Sequence, residues 1–267
     1  MLHLRGLDLR SFGDEAGFPL NLPFVQSWQP LEFQAPVTFF VGENGSGKST
    51  LMEALALAAQ MVTAGSSAAE RDRSLDAVRP LAKALKLIWN KRTRRGFFLR
   101  AEDFFGWLKA QGRAQQEMQA ELKEIDEEFK GRSDYARGLA RSALSGQVAG
   151  MQLRYGEGLL SKRSHGEGFL DLFQVRFVPG GLYLLDEPEV PLSPLRQLTL
   201  LSLLKQMIEQ EAQFIIATHS PILMAFPGAE ILSFDRAPIS PVEYKDLEHV
   251  NLTRDFLADP ESFLRHL

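Results

Sequence analysis

Gly42-Glu43-Asn44-Gly45-Ser46-Gly47-Lys48-Ser49 satisfies the spacing GxxxxGK[ST], and Thr50 follows it. Glycines at these positions let successive backbone N–H groups curl around phosphate oxygens, and a helix starting there adds the positive end of its dipole. Lys48 would reach the β- and γ-phosphates of a nucleotide, and the Ser49 hydroxyl would offer an oxygen to Mg²⁺. The competing explanation is a glycine-rich turn that carries GKS by coincidence, and the flanking sequence argues against it. Val37-Thr38-Phe39-Phe40-Val41 is a β-rich apolar run, as a buried parallel strand should be. Leu51 to Ala58 is rich in helix formers and free of Gly and Pro. A strand before the loop and a helix after it are what phosphate binding requires.

Two further clusters could complete that chemistry. Gly181-Leu182-Tyr183-Leu184-Leu185-Asp186-Glu187-Pro188 reads as an apolar strand ending in two acids. At the carboxyl end of a parallel strand, Asp186 can hold Mg²⁺ opposite Ser49, and Glu187 can polarise an attacking water. Taken alone, the same residues would fit an ordinary strand ending in a solvated turn. Gln213-Phe214-Ile215-Ile216-Ala217-Thr218-His219-Ser220-Pro221 is another buried strand with a polar end. His219 there either senses a γ-phosphate or is a structural hydrogen-bonding histidine.

The elements that must position these groups are strands alternating with helices, so the expected fold is α/β, with a parallel-containing sheet and the loop at a strand's carboxyl end. Other nucleotide chemistries fit less well. The guanine-reading pattern Asn-Lys-x-Asp is absent, since Asn90-Lys91-Arg92-Thr93 lacks the acid. A small nucleoside kinase rarely combines an Asp-Glu strand end with a later strand-end histidine, and protein kinases carry a different motif set. ATP hydrolysis remains.

The rest of the composition sets bounds. A chain of 267 residues that is 45% hydrophobic and 24% charged can bury a core and corresponds to one or two domains, so disorder and collagen-like structure are excluded. No apolar run reaches the roughly 18 residues of a membrane span. The N-terminal alternation of Leu2, Leu4, Leu7 and Leu9 with polar residues reads as a strand and not as a secretory signal. The absence of cysteine removes disulfides, thiol catalysis and cysteine-ligated metals, and fits a cytoplasmic protein. A net charge of −4 makes the surface as a whole no magnet for nucleic acid and leaves room for a local basic patch.

With these residues in place, the sequence resembles the ABC-type P-loop ATPases, in the soluble branch with the SMC and RecF-like proteins and the stand-alone AAA/ABC-like ATPases. Gly42 to Thr50 is similar to that branch's Walker A, including Asn44 before the second glycine. Asp186-Glu187-Pro188 is similar to its Walker B, Val190-Pro191-Leu192-Ser193 occupies the D-loop place, and His219 the switch-histidine place. Ser164-His165-Gly166-Glu167 lies about 20 residues before Walker B, where the family carries Ser-Gly-Gly-Gln. The C-terminal Thr253 to Glu261 also resembles the family's ends. The resemblance implies ATP and Mg²⁺ as cofactors and a head-to-tail homodimer closing on two ATP molecules. Ser164, Gly166 and Glu167 would then act in trans, with Glu167 in place of glutamine departing from the pattern; otherwise the segment is a glycine-rich loop before a helix beginning at Phe169. No glutamine follows a strand soon after the P-loop helix. Glu102, after the strand-like Gly96 to Arg100, takes the Q-loop role, or else Arg100 and Glu102 form an exposed strand-end ion pair.

The resemblance leaves out the middle of the chain. The expected layout is an ATPase lobe over 1–75 and 161–267 with a helical insertion over 76–160. Between Ala77 and Ala101 stand eight Lys or Arg and no acid. Lys91, Arg92, Arg94 and Arg95 within it make either a patch for nucleic acid or an acidic partner, or a solvated basic helix face. Residues 114–130 read as one helix with Met118, Leu122, Ile125 and Phe129 on its apolar stripe. At that length it is too short for a long coiled-coil arm. Three purposes follow: work on DNA or RNA in repair, maintenance or mobile-element defence; a switch that binds a partner such as a nuclease or toxin; or energising a transporter. The altered signature and the missing glutamine fit the last least.

Overall fold

The computed structural model describes residues 2–10, 17–63, 72–101, 120–130 and 165–265, with a few single residues between them. The chain divides into two compact units, one formed by Met1–Ala101 with Val178–Leu267 and the other by Glu102–Phe177.

The first unit is built on two sheets. Strands β3 (Val37–Val41), β5 (Phe98–Arg100), β6 (Leu182–Asp186), β7 (Gln213–Ala217), β8 (Glu230–Ser233) and β9 (Ser240–Pro241) form a sheet in the order β5-β6-β7-β3-β8-β9. Its first five strands are parallel and β9 is antiparallel to β8, so the sheet is mixed and mostly parallel. Every residue of β3, β6 and β7 is buried, which matches their unbroken apolar runs. The register pairs Arg100 with Asp186, Asp186 with Ala217, and Phe40 with Ala217. Four strands therefore end level with one another, and the residues just beyond them share one edge.

The second sheet is antiparallel, in the order β2 (Leu31–Glu32), β1 (Leu4–Leu9), β4 (Leu85–Trp89). The expected N-terminal strand is present, with a change of phase. Leu4 and Leu7, three residues apart, are both fully buried, because the register against β4 shifts between Leu4 and Gly6. Gly6 is needed there, since a Cβ would meet the Leu31 carbonyl oxygen at 2.5 Å. Gln213 ties the sheets together. Its side-chain oxygen accepts the His3 and Leu4 N–H groups at 2.8 Å each, and its amide donates to the Leu4 carbonyl at 2.9 Å.

Helices α1 (Pro23–Gln26), α2 (Lys48–Ala58) and α3 (Arg79–Ala84) precede β4. The basic stretch from residue 77 is thus not one helix face but α3, β4, a loop and β5. α4 (His165–Arg176) belongs to the second unit, where Phe173 meets Phe169 edge-on at 4.7 Å and stacks on Phe177 at 4.9 Å between ring centres. It starts at His165, four residues before the expected Phe169. Also in that unit, the helix expected over 114–130 is described over 120–128, with Leu122 and Ile125 half-buried and Lys130, just beyond its end, paired with Glu127 at 3.2 Å. Met118 lies outside the described residues. α5 (Pro194–Glu209), α6 (Pro221–Met224), α7 (Glu248–Ala258) and α8 (Pro260–Leu264) complete the first unit. No helix among the described residues is long and apolar enough to cross a membrane.

Candidate active site

The P-loop leaves β3 at Val41 and enters α2 at Lys48, as the sequence predicts. Gly42, Gly45 and Gly47 all have positive φ, conformations that side chains with a Cβ rarely adopt. Gly47 is doubly constrained, because a Cβ there would collide with the ring of Phe24 from α1. Phe24 in turn packs edge-on against Phe234 after β8, which packs against Phe40 of β3. An aromatic floor thus supports the loop from beneath, and the local sequence around the loop carries no signal of it.

Lys48 is buried and donates to the carbonyls of Gly42 at 2.6 Å and Glu43 at 2.9 Å. Burial pushes its ammonium below the usual lysine range, against the pull of Asp186 and Glu187. The group is held inside the loop by carbonyl oxygens, where phosphate oxygens would offer it full charge compensation.

Ser49 donates its hydroxyl to the Asp186 carboxylate at 3.2 Å across 137 residues of sequence. Burial pushes the Asp186 carboxyl up to about 7, with Glu187 and Glu53 adding to the shift and the Ser49 hydrogen bond and Lys48 opposing it. Such a carboxylate resists ionising alone and would ionise readily beside a divalent cation. The hydroxyl and carboxylate therefore fit Mg²⁺, a hard cation that takes few protein oxygens. Among the described residues no group of three or more His, Asp or Glu could hold a metal, so phosphate and water would fill its other positions.

Glu187 follows with φ of 51°, a left-handed conformation unusual for glutamate, which turns the chain sharply at the strand end. Its N–H is held by the Ala217 carbonyl at 2.9 Å. His219 Nε2 lies 3.9 Å from a Glu187 carboxylate oxygen, too far for a hydrogen bond, and this nitrogen is shielded from solvent with no partner. Burial, and next the Lys48 charge, push the His219 imidazole below its usual range, so it is neutral near pH 7. A neutral ring with an orphaned nitrogen beside a carboxylate leaves a gap that a phosphate oxygen or water could bridge.

Sequence reasoning missed three supporting groups. Glu189 accepts the Thr218 hydroxyl and the His219 N–H at 2.7 Å each, pinning the end of β7 to the turn after β6. Asp235 accepts the Glu43 N–H at 2.8 Å and buttresses the loop from beyond β8. His249 on α7 has a buried Nε2 with no partner, and its imidazole is lowered by burial, with the Asp235 and Glu43 carboxylates opposing. The acids that follow a strand end are a signal for the first two; nothing in the sequence marks His249.

Arg100 is buried at the end of β5, donating to Glu53 at 2.9 Å, to Asp72 at 3.3 Å and to the Ser74 hydroxyl at 2.9 Å. Arg100 is therefore not at an exposed strand end as expected, while its expected partner Glu102 lies outside the described residues. Burial on a strand flanking Asp186 requires full charge compensation, which Glu53 of α2 and Asp72 supply. Glu102 and Ser164 lie outside the described residues. Gly166 and Glu167 are in the first turn of α4. In the D-loop segment Val190 is exposed and Leu192 buried.

A glycine-rich loop between a parallel strand and a helix, with Ser49, Asp186, Glu187 and His219 gathered at the same sheet edge, defines a P-loop ATPase domain. The sequence profile of the family described as "AAA domain, putative AbiEii toxin, Type IV TA system" matches residues 78–225, more than half of the chain, and the protein belongs to that family. A further AAA-domain profile matches residues 20–79. No curated protein matches the chain. Among solved structures it is similar to cbiO1 of Clostridium perfringens, part of the ABC transporter complex cbiONQ, at 14% identity over 100% of both chains with a TM-score of 0.46. It is also similar to the Smc head domain of Pyrococcus furiosus bound to the C-terminal domain of ScpA, at 12% identity over 96% of this chain and 100% of that one, TM-score 0.44. An ATP-binding cassette of an ABC transporter in its ADP conformation is similar at 13% identity over 98% and 96%, TM-score 0.43.

Proposed function

We propose that this protein is a Mg²⁺-dependent ATPase that closes as a head-to-tail dimer on ATP and works on DNA or RNA. The observation that carries the hydrolytic half is the Ser49–Asp186 hydrogen bond at 3.2 Å, with Glu187 and the orphaned His219 Nε2 beside it. The loop amides from Gly42 to Thr50 and the Lys48 ammonium bind the phosphates, and Ser49 and Asp186 hold Mg²⁺. When bound, Mg²⁺ neutralises charge on the β- and γ-phosphates. Glu187 accepts the proton of the water that attacks the γ-phosphorus, and His219, neutral near pH 7, hydrogen-bonds the γ-phosphate. Ser164, Gly166 and Glu167 of one copy would meet the γ-phosphate held by the other copy's P-loop.

Glu187→Gln keeps the size and removes the base. Hydrolysis should fall by about 10²–10⁴-fold with nucleotide affinity preserved. Normal turnover in this variant would remove Glu187 from the mechanism. In light scattering, the same variant should move from 29.9 kDa to twice that mass when Mg-ATP is added.

A second reading is a switch completed by a partner protein such as a nuclease or toxin. The signature favours it, since Glu167 brings a negative charge where glutamine would face phosphate, and so does the toxin system in the family's description. Glu187→Gln that binds Mg-ATP fully and remains at 29.9 kDa would select this reading over the dimer.

A further inference from the structure

The first unit carries a second concave, charged region far from the P-loop. The residues that lead into β5, β6 and β7 lie at the amino ends of parallel strands, the sheet edge opposite the one that bears Gly42 to Ser49. At that opposite edge the chain places Lys91, Arg92, Arg94 and Arg95, four cations within five residues, all exposed. Arg92 donates to the Gln60 side chain at 3.3 Å and Arg95 to the Pro179 carbonyl at 3.2 Å, both neutral acceptors. None of the four has a carboxylate within ion-pair distance among the described residues. Elsewhere in this unit Arg79 pairs with Asp76, Lys86 with Asp8, and Arg100 with two acids. The positive charge at 91–95 is thus uncompensated in a protein whose net charge is −4.

The cluster is also not convex. Arg92, Thr93 and Arg95 border two cavities at once. One, of about 360 Å³, is lined by Arg94, by the half-buried Trp89 and by the apolar Met61 and Val62. The other, of about 310 Å³, is lined by Lys91, His3 and Gly180, with Glu211 as its one carboxylate. His3 holds the floor of this region in place, bonding Gln213 and the Glu211 carbonyl at 2.8 Å each.

We infer that Lys91, Arg92, Arg94 and Arg95, with Trp89 in the larger cavity, form a binding site for single-stranded nucleic acid on the edge of the sheet opposite the ATP site. Phosphates need unpaired Lys and Arg, and their spacing along consecutive residues follows a backbone. An unstacked base needs a concave apolar wall with an aromatic ring, which Trp89, Met61 and Val62 supply. A duplex would not reach Trp89, because its bases are paired and stacked inside. An acidic peptide would satisfy the cations and leave the apolar cavity unused. This inference rests on the nucleic-acid half of the function proposed above, and adds to it the place and the strandedness.

The test is fluorescence anisotropy on the full chain at low salt, with a labelled 20-nucleotide oligothymidylate, a 20-base-pair duplex and a 20-residue polyglutamate peptide as probes. The triple variant Lys91→Gln, Arg92→Gln, Arg94→Gln should bind the single strand at least tenfold more weakly. Its logarithmic salt dependence should be shallower by about 2, since each phosphate contact on a single strand contributes about 0.7. Mg-ATP binding should be unchanged, which confirms that the variant is folded. Wild-type affinity in the triple variant would overturn the site while leaving nucleic acid as the target. A wild-type protein that ignores both oligonucleotides would overturn the site and the nucleic-acid reading together, with ATP hydrolysis untouched. Tighter binding of the duplex, or of polyglutamate, would overturn the assignment to a single strand. Should the triple variant lose Mg-ATP binding, Arg94→Gln alone decides, because that side chain contacts no described polar group. A loss of about threefold in single-strand affinity would support the site, and no loss would overturn it.

Discussion

Asp186 sits where desolvation and neighbouring acids hold its carboxyl at about 7, against an ordinary value near 4. Between these pH values the folded protein binds a proton that the unfolded chain does not. Its contribution to stability therefore falls as pH rises from about 4 to 7 and is constant above. Asp186→Asn removes that penalty. The nucleotide-free variant should be as stable as the wild type at pH 4 and more stable at pH 8, by at most about 4 kcal/mol for a three-unit shift. The stabilisation by Mg-ATP should disappear with it. Urea denaturation at the two pH values, with and without Mg-ATP, checks both halves, and equal stability at pH 8 would mean that Asp186 is not strained by burial. His219 has the opposite sign: lowered by burial, it opposes protonation and costs stability only as pH falls below about 6.5.

At the scale of elements, Arg100 joins β5 to α2 and to the turn that carries Asp72. Its side chain is more than nine-tenths buried and its partners Glu53 and Asp72 are about four-fifths and three-quarters buried, so removing Arg100 strands two carboxylates in a poor solvent. Arg100→Ala should cost about 3 kcal/mol in chemical denaturation, as removal of one member of a buried ion pair does. Arg100→Lys should recover part of that, because an ammonium can satisfy one acid but not the fork of three acceptors. A cost below about 1 kcal/mol would show the pair to be solvated and marginal. The element also shows how far the sequence could be read. β3, β6 and β7 are legible because both faces are buried and their residues are uniformly apolar. β5 has only three residues, and its buried arginine looks like any strand-end charge until its partners, 28 and 47 residues away, are brought together.

For the whole molecule, the exposed apolar side chains near the site are the notable feature. Leu195 and Leu198 on α5 are 75% and 53% exposed, and Val190 in the preceding turn is 56% exposed. These lie on the chain that follows Glu187, so a second copy closing over the nucleotide would cover them. Leu195→Asp should then block the Mg-ATP-driven mass doubling of the Glu187→Gln variant, with nucleotide affinity within about twofold. Substitution at this exposed position touches no core, so its effect on folding should be within about 0.5 kcal/mol. Undiminished dimerisation would place the interface elsewhere.

Sequence by itself determined the phosphate loop, the acids at the end of β6 and the histidine after β7. Each is a local pattern: a glycine spacing that backbone geometry demands, or a buried strand whose first polar residue marks its end. It determined the α/β class for the same reason. Only the tertiary structure decided that Phe24 and Phe234 carry the loop from below, that Glu189 fixes His219, that Asp235 holds the Glu43 amide, and that Arg100 is buried. It also turned a run of basic residues into a concave edge remote from the P-loop. These are contacts between segments up to 210 residues apart, from Phe24 to Phe234, set by strand order and register. Local spacing cannot encode them, because which strand ends lie side by side is fixed only when the sheet assembles.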